Sequence, residues 1–357
     1  MRRLLQSHHP FRIFAISGSL TVIALAYVYY YMGAEAAFLA LVLIAVEITF
    51  SFDNAIVNAR VLMTMSPFWQ KMFLTVGILI AVFGMRLVFP ILIVMITAGL
   101  SWGSVIDLAL NNQDQYAREL KDSYVSIASF GGMFLLMLCL HFFFDASRKV
   151  IWIDIIEKPL QRMGKWWTYA VVSFIVLAVI CLVPYNKYPL ETFVAGLSGI
   201  ITYLLVHGLA ELFSRKYDAG KSTGKIVQRA GMAGFMSFLY LEVLDASFSF
   251  DGVIGAFAIT TDVVLIAIGL GIGAFWVRSL TIFMVRTHVL TAYRYLEHGA
   301  HYTIGMLAAV LLTGIFFHVS EFFAGVVGIT VIGASVVSSV VKRKREKLHG
   351  HRASARS

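Results

Sequence analysis

The chain has 357 residues, of which 59% are hydrophobic and only 14% are charged, and its formal net charge is +9 at pH 7. So few charges cannot cover that much apolar surface, which argues against a soluble enzyme and against a nucleic-acid-binding protein. The apolar residues also form runs of about twenty, the length of a helix that crosses the hydrocarbon core of a bilayer. The composition therefore predicts an all-α polytopic membrane protein in contact with lipid.

Ten apolar segments follow one another along the chain, and each is predicted to be one transmembrane helix. They lie at residues 13–31, 36–60, 72–98, 123–145, 168–184, 191–213, 230–251, 262–286, 299–318 and 321–341. Of the 29 Lys and Arg residues, 24 fall on the side of the membrane that carries the N-terminus. By the positive-inside rule, both termini are cytoplasmic. The basic tail after the last helix is interpreted as an anchor at anionic lipid rather than a nucleic-acid patch.

One acidic motif occurs twice, 198 residues apart. The sequence EITFSFDNAI at residues 47–56 recurs as DASFSFDGVI at residues 245–254, and each copy is followed by an arginine in the next predicted helix, Arg86 or Arg278. The two motif helices run in opposite directions, which predicts two inverted-topology repeats, an architecture common among secondary transporters. The predicted units are residues 1–190 (first repeat), 191–341 (second repeat) and 342–357 (cytoplasmic tail).

The motif acids are the candidate functional residues. A carboxylate in the middle of a bilayer is costly, so such acids usually face a cavity, a partner or an ion. Two arginines cannot neutralise all the acids, and clustered carboxylates with hydroxyl and amide oxygens suit Mn²⁺, Ca²⁺ and Mg²⁺. The predicted metal ligands are Glu47, Asp53, Asn54, Asp245 and Asp251, with Ser51, Ser249 and Glu242 in support and Arg86 and Arg278 as ion-pair partners of the acids in the empty state.

Helix geometry leaves two arrangements of the first motif open. At 100° per residue, one polar stripe is formed by Glu47, Ser51, Asn54 and Asn58. Asp53 lies about 120° away from Glu47 on an unbroken helix. Either the helix unwinds near the aspartate, or the two acids face different partners. In the second motif, Gly252 favours unwinding after Asp251.

The two motif copies resemble those of the TerC family of integral membrane proteins. The likeness extends over residues 36–340 and includes AFAIT at residues 256–260 and the Arg-Ser-Leu that begins at Arg278. The chain is similar to a longer, divergent subgroup of that family. The resemblance implies membership of the lysine-exporter superfamily, a link to tellurium resistance, and export of Mn²⁺, with Ca²⁺ and Mg²⁺ as alternative ions. It also implies a multi-pass protein of the bacterial inner (plasma) membrane.

Two further pairs of side chains carry weaker signals. His141 and Asp145, and likewise His207 and Glu211, lie one helical turn apart near the predicted inner ends of their helices. They are interpreted as a secondary metal site or a proton relay, or else as hydrogen-bonded interfacial pairs. The chain has no nucleophile-and-base set, Walker loop or dinucleotide motif, so neither catalysis nor an organic cofactor is predicted.

The sequence therefore predicts a secondary transporter that exports a divalent cation through a carboxylate site at the repeat interface. Two alternatives stay open. One is an exporter of basic amino acids, for which lysine rather than Mn²⁺ would compete for the site. The other is a non-transporting scaffold in metal or tellurite stress, which would recruit cytoplasmic factors through its inner loops.

Overall fold

A computed structural model of the protein describes residues 10–218, 229–317 and 321–354, with all side chains there except those of residues 10, 12, 214–218, 250, 251, 254, 258, 321–324 and 347–354. Within these ranges the regular structure is entirely helical. The elements are α1 (Pro10–Phe50), α2 (Phe52–Leu62), α3 (Pro67–Met72), the π-helices π1 (Phe73–Gly77) and π2 (Ile80–Val88), α4 (Phe89–Thr97), α5 (Trp102–Asn111), α6 (Gln113–Asp122), α7 (Tyr124–Phe144), α8 (Asp154–Arg162), α9 (Thr168–Leu182), α10 (Pro189–Asp218), α11 (Gly231–Ile259), α12 (Val263–Arg286), α13 (Val289–Ala292), α14 (Leu296–Gly314) and α15 (Glu321–Ser354).

Six stretches of the described chain are long and apolar enough to cross a membrane. They are Ile13–Phe50, Pro67–Thr97, Tyr124–Phe144, Pro189–Phe213, Val263–Arg286 and Gly325–Glu346. The difference from the ten predicted segments has local causes. The first two predicted segments join in α1, α9 has only 15 residues, α11 carries the motif acids, and α14 has three ionisable residues in its first two turns. The protein is thus a multi-pass helical membrane protein by length and composition.

Gly33 divides α1 into two arms. Its φ of 94° and ψ of 176° lie in a region that glycine adopts easily and other residues avoid. Before the bend, the first arm runs antiparallel to α12. Ser17 Oγ lies 2.5 Å from Ser279 Oγ, and one turn later Thr21 Oγ1 accepts a 2.8 Å hydrogen bond from Trp276 Nε1.

The second arm, residues 34–50, runs parallel to α12. Leu43 packs against Gly269, and Glu47 packs one turn further along against Gly273. A Cβ atom added at either glycine would lie 2.5 Å from the facing side chain. Both contacts are therefore possible only because glycine has no side chain. The chain therefore reverses direction at Gly33, and α1 consists of two antiparallel helices.

The largest hydrophobic core surrounds α7, which packs against α10 on one side and α14 on another. The helices α7 and α14 are antiparallel, because Gly132 packs on Leu312 while Cys139 packs on Gly305. The last helix, α15, returns along α14 in the opposite direction, with Tyr295 N donating to Ser339 Oγ at 2.9 Å. These pairs hold the second half of the chain against the helices of the first.

The segment 99–122, which lies between two of the predicted transmembrane segments, forms the short helices α5 and α6. Ser101 is the N-cap residue of α5 and accepts a hydrogen bond from Ser104 N at 3.2 Å. Asn112 is the N-cap residue of α6 and accepts one from Gln115 N at 3.3 Å. Ser and Asn are strong N-cap residues because their side chains satisfy amides that a helix start leaves open. Side-chain capping thus stabilises the starts of α5 and α6.

Candidate functional site

The two motif copies face each other across a crossing of antiparallel helices. Asn54 Nδ2 on α2 donates a 2.5 Å hydrogen bond to Asp245 Oδ1 on α11. Glu47 packs against Gly252, where an added Cβ would lie 3.0 Å from Glu47 Oε2. At the 198-residue offset between the copies, Glu47 corresponds to Asp245 and Asn54 corresponds to Gly252. The two contacts are therefore equivalents of each other, as a local twofold relation between the copies requires.

The first acid of the first copy is held in a buried ion pair. Arg86 Nη2 donates to Glu47 Oε1, and Ser51 Oγ donates to the same oxygen at 2.9 Å. Arg86 Nη1 also donates to Ala81 O at 2.6 Å. Glu47 is 1% exposed and Arg86 is 6% exposed, so both charges lie away from solvent. In this state the guanidinium neutralises the carboxylate.

The second copy has an equivalent pair with one acid more. Arg278 Nη2 lies 3.2 Å from Asp245 Oδ2 and 3.7 Å from Glu242 Oε1, and its guanidinium stacks 3.6 Å above the ring of Phe73. All three charged side chains are buried. Neither carboxyl oxygen of Glu242 has a hydrogen-bond partner in the described part of the chain. One guanidinium thus faces two carboxyl groups, and it balances the charge of only one of them.

Two π-helical turns position both arginines. The segments π1 and π2 interrupt the helix that follows the first motif. Their carbonyls Gly77 O and Ala81 O accept hydrogen bonds from Arg278 at 3.2 Å and from Arg86 at 2.6 Å. Pi-helical turns recur at functional sites because the wider turn rearranges the backbone hydrogen bonds. Both guanidinium groups are thereby fixed by backbone as well as by carboxylates.

Asp53 faces a different environment from Glu47, which is one of the two arrangements that helix geometry left open. It is 2% exposed and lines a cavity of about 30 Å³ together with Ser51, Gly252 and Thr303. That volume is enough for a water molecule or a single ion. The participation of Thr303 on α14 was not predicted. Thr303 is one of two threonines in α14, and hydropathy does not distinguish it from Thr313.

The helix is interrupted in the first motif, which is the other arrangement that helix geometry left open. Ser51 separates α1 from α2 with φ −96° and ψ 14°. The predicted unwinding after Asp251 is wrong, since α11 continues through Gly252 to Ile259. Gly252 serves close packing on Glu47 instead of breaking the helix.

Several oxygen and nitrogen atoms near the motifs are buried without a hydrogen-bond partner in the described part of the chain. They are Asn54 Oδ1, both amide atoms of Asn58, and Ser249 Oγ. Such atoms are rare in native proteins and often mark a water or ion that completes the site. Asp251 lies in α11, and its side chain falls outside those described. Among the described residues, no group of three or more His, Cys, Asp or Glu side chains is arranged to hold a metal ion.

The two His–acid pairs come together in one place. His141, Asp145, His207 and Glu211 line a single cavity of about 530 Å³ between α7 and α10. The two imidazole rings lie 4.4 Å apart, edge to face, and His141 Nδ1 lies 2.7 Å from the hydroxyl of Tyr203. The four side chains are thus neighbours, and His141 already has a hydroxyl partner.

A buried acid that the sequence did not single out lies on α8, the short helix that separates α7 from α9 in the chain. Glu157 is fully buried, accepts hydrogen bonds from Ile153 N at 3.2 Å and Tyr302 OH at 3.2 Å, and lies 3.7 Å from Arg148 and 3.4 Å from His298. Burial lowers the pKa of Arg148, and the carboxylate of Glu157 opposes that shift. This cluster joins the segment after α7 to α14. A glutamate in a polar stretch gives no signal of burial in the sequence.

Comparison with known proteins identifies the family but no activity. No curated protein and no solved structure matches the chain significantly. One family model, described as "Protein of unknown function (DUF475)", matches residues 52–346. That match includes the first motif from Phe52 onwards, all of the second motif and both arginines. The chain therefore belongs to the DUF475 family.

Proposed function

We propose that this protein is a secondary transporter that exports a divalent metal cation, with Mn²⁺ as the first candidate. The observation that carries the proposal is the antiparallel crossing of the two motif copies, where Asn54 contacts Asp245 and Glu47 contacts Gly252. Transporters built from inverted repeats bind substrate where equivalent helices of the two halves meet. The crossing holds buried acids and unpartnered oxygen atoms, which are the ligand types that Mn²⁺ and Ca²⁺ take.

We also propose that the chain has ten membrane-spanning helices in two inverted repeats, with both termini in the cytoplasm. The packing supports this arrangement, since the two arms of α1 run in opposite directions. The helices α7 and α14 pack antiparallel, as do α14 and α15. Alternating directions are what successive membrane crossings require.

The ion pairs suggest how the cycle works. In the state described, Arg86 and Arg278 form ion pairs with the carboxylates that a cation would need. An arriving divalent cation would replace the guanidinium groups at Glu47 and Asp245 and take further oxygens from Asp53, Asn54 and the proposed ligand Asp251. Arginine acts here as a tethered substitute for the cation, so that neither state leaves the acids without positive charge. The exchange would be one half of an alternating-access cycle.

A metal ion suits the site better than a basic amino acid does. The cavity beside Asp53 has a volume of about 30 Å³, which holds an ion or a water but not a lysine side chain. The likeness of the motifs to the TerC family favours Mn²⁺ and the bacterial inner membrane. No ATP-binding motif is present in the sequence, so we propose that protons or the membrane potential drive export.

Metal-dependent stabilisation of the purified protein tests the proposal. Melting temperature would be measured with Mn²⁺, Ca²⁺, Mg²⁺, Zn²⁺ and lysine. We expect the largest increase with Mn²⁺, and we expect Asp53→Asn to abolish it. The control is Asp107→Asn, because Asp107 is exposed on α5 and should leave the increase intact. Stabilisation by lysine alone would favour the amino-acid exporter, and equal increases in both variants would place the metal elsewhere.

A further inference from the structure

A second cavity lies between the two halves of the protein, away from the motif acids. Its volume is about 290 Å³, and it is bounded by α4 and α7 from the first half and by α10, α11 and α14 from the second. Its wall on α11 is Ala246 and Ser247, which directly follow the motif residue Asp245. An occupant of this cavity would therefore touch the helix that carries the second motif.

The lining offers no free hydroxyl donor to water, and the other nine residues that line the cavity are non-polar. Three hydroxyl side chains reach the cavity, and each already has a protein acceptor. Thr97 Oγ1 donates to Ile93 O at 2.9 Å, Ser126 Oγ donates to Glu191 Oε1 at 2.5 Å, and Ser247 Oγ donates to Val243 O at 3.0 Å. Water enters a cavity only where it finds two or more polar partners. The space is therefore suited to hydrocarbon and unsuited to water.

The cavity is continuous with the surface that faces the bilayer. Ile96 on α4 lines it and is 73% exposed on a helix apolar enough to cross a membrane. Along α4, the lining extends from the first residue, Phe89, to the last, Thr97, a separation of eight residues or about 12 Å. The space thus follows α4 along its length and is open beside the exposed Ile96.

From this position, shape and chemistry, we propose that the cavity binds one acyl chain of a membrane phospholipid. The chain would enter beside Ile96 and extend along α4 to the wall formed by α11. It would fill an apolar space that the protein's own side chains leave open, and an empty space of this kind destabilises a core. The site is independent of which substrate the protein carries, because it depends only on the apolar cavity and on the surrounding bilayer.

Filling the cavity with a side chain tests the proposal. Ala195 on α10 lines the cavity, and Ala195→Phe would occupy the space of the acyl chain. Ala26→Phe is the matched control, because Ala26 is exposed on the first arm of α1. Purified full-length protein would be examined for retained phospholipid by native mass spectrometry. Melting temperature would be measured with a long-chain and with a six-carbon phosphatidylethanolamine.

We expect wild type and Ala26→Phe to retain one phospholipid more than Ala195→Phe does. We also expect the long-chain lipid to raise the melting temperature of wild type more than the short-chain lipid does, and to lose that advantage in Ala195→Phe. Should Ala195→Phe fail to fold, Gly131→Leu serves instead, because a Cβ there lies at ordinary contact distances of 3.6 Å and 3.8 Å. Equal lipid retention in the filled variant and the control overturns the proposal. So does stabilisation of wild type by decane as large as that by the long-chain phospholipid, which would indicate an unselective apolar void.

Discussion

The arginine of the first motif is the most informative side chain to remove. Arg86 is 6% exposed and donates to Glu47, which is 1% exposed, and to Ala81 O. Arg86→Met keeps an apolar stem of similar length but leaves the Glu47 carboxylate buried with only the hydroxyl of Ser51 as a donor. Removing one partner of a buried ion pair costs about 3–5 kcal/mol, because the remaining charge is no longer compensated.

A surface pair of the same chemistry provides the control. Arg60 Nε lies 3.2 Å from Glu297 Oε1, with side chains 56% and 27% exposed. Exposed ion pairs contribute about 0–1 kcal/mol, since water screens them. We therefore expect Arg86→Met to lower the free energy of unfolding by at least about 2 kcal/mol more than Arg60→Met does. The assay is reversible unfolding in mixed micelles, followed by tryptophan fluorescence.

A double-mutant cycle separates the ion pair from simple loss of packing. Adding Glu47→Gln to Arg86→Met removes both charges, so we expect the double variant to regain most of the lost stability. Saturating Mn²⁺ should reduce the loss in Arg86→Met as well, because a bound cation restores the charge balance. If both arginine variants lose the same stability and the double variant is merely additive, the buried pair does not exist as described and the reasoning is refuted.

Three further predictions concern packing, the segment after α7 and topology. Gly273→Ala places a Cβ 2.5 Å from the Glu47 side chain and should lower stability by about 1–3 kcal/mol in a thermal melt, whereas Gly18→Ala, with open space around it, should not. Glu157→Gln removes the charge that faces the half-buried Arg148, and should speed proteolysis of the segment between α7 and α9; an unchanged rate would contradict its anchoring role. Single cysteines at 187 and 155 should label from outside and inside respectively, and labelling from the same side would contradict the inverted repeats.

Much of the site was predictable because its signals are chemical and repeated. Two copies of a motif with acids in apolar helices require partners for their charges, and Arg86 and Arg278 are basic residues well inside the predicted segment that follows each copy. The structure places Arg86 on Glu47 and Arg278 on Asp245. It also shows that Glu47 and Asp53 face different surroundings and that the helix is interrupted at Ser51 between them, so both arrangements that helix geometry left open occur together.

The remaining features depend on contacts that a single sequence does not encode locally. Whether Gly252 breaks its helix or receives a neighbour depends on what packs there, and the neighbour is Glu47, almost two hundred residues away. Thr303 joins the cavity beside Asp53 only because α14 and α15 pack on the first motif. Gly33 lies in the gap between the predicted segments 13–31 and 36–60, but the sequence does not show that this one residue reverses the direction of the chain.

The central claim is that the two motif copies share one cation site, and Mn²⁺ export by aspartate variants tests it most directly. Asp53→Asn and Asp251→Asn keep side-chain size and one oxygen while removing a charge, and a neutral side chain is cheaper to place in the membrane than a carboxylate. Mn²⁺ retained by cells sensitised to it would be measured for each variant at matched expression. We predict that both variants express well and fail to lower cellular Mn²⁺, with partial loss in Ser51→Ala and Ser249→Ala. Export at the wild-type rate by both aspartate variants would contradict a shared carboxylate site.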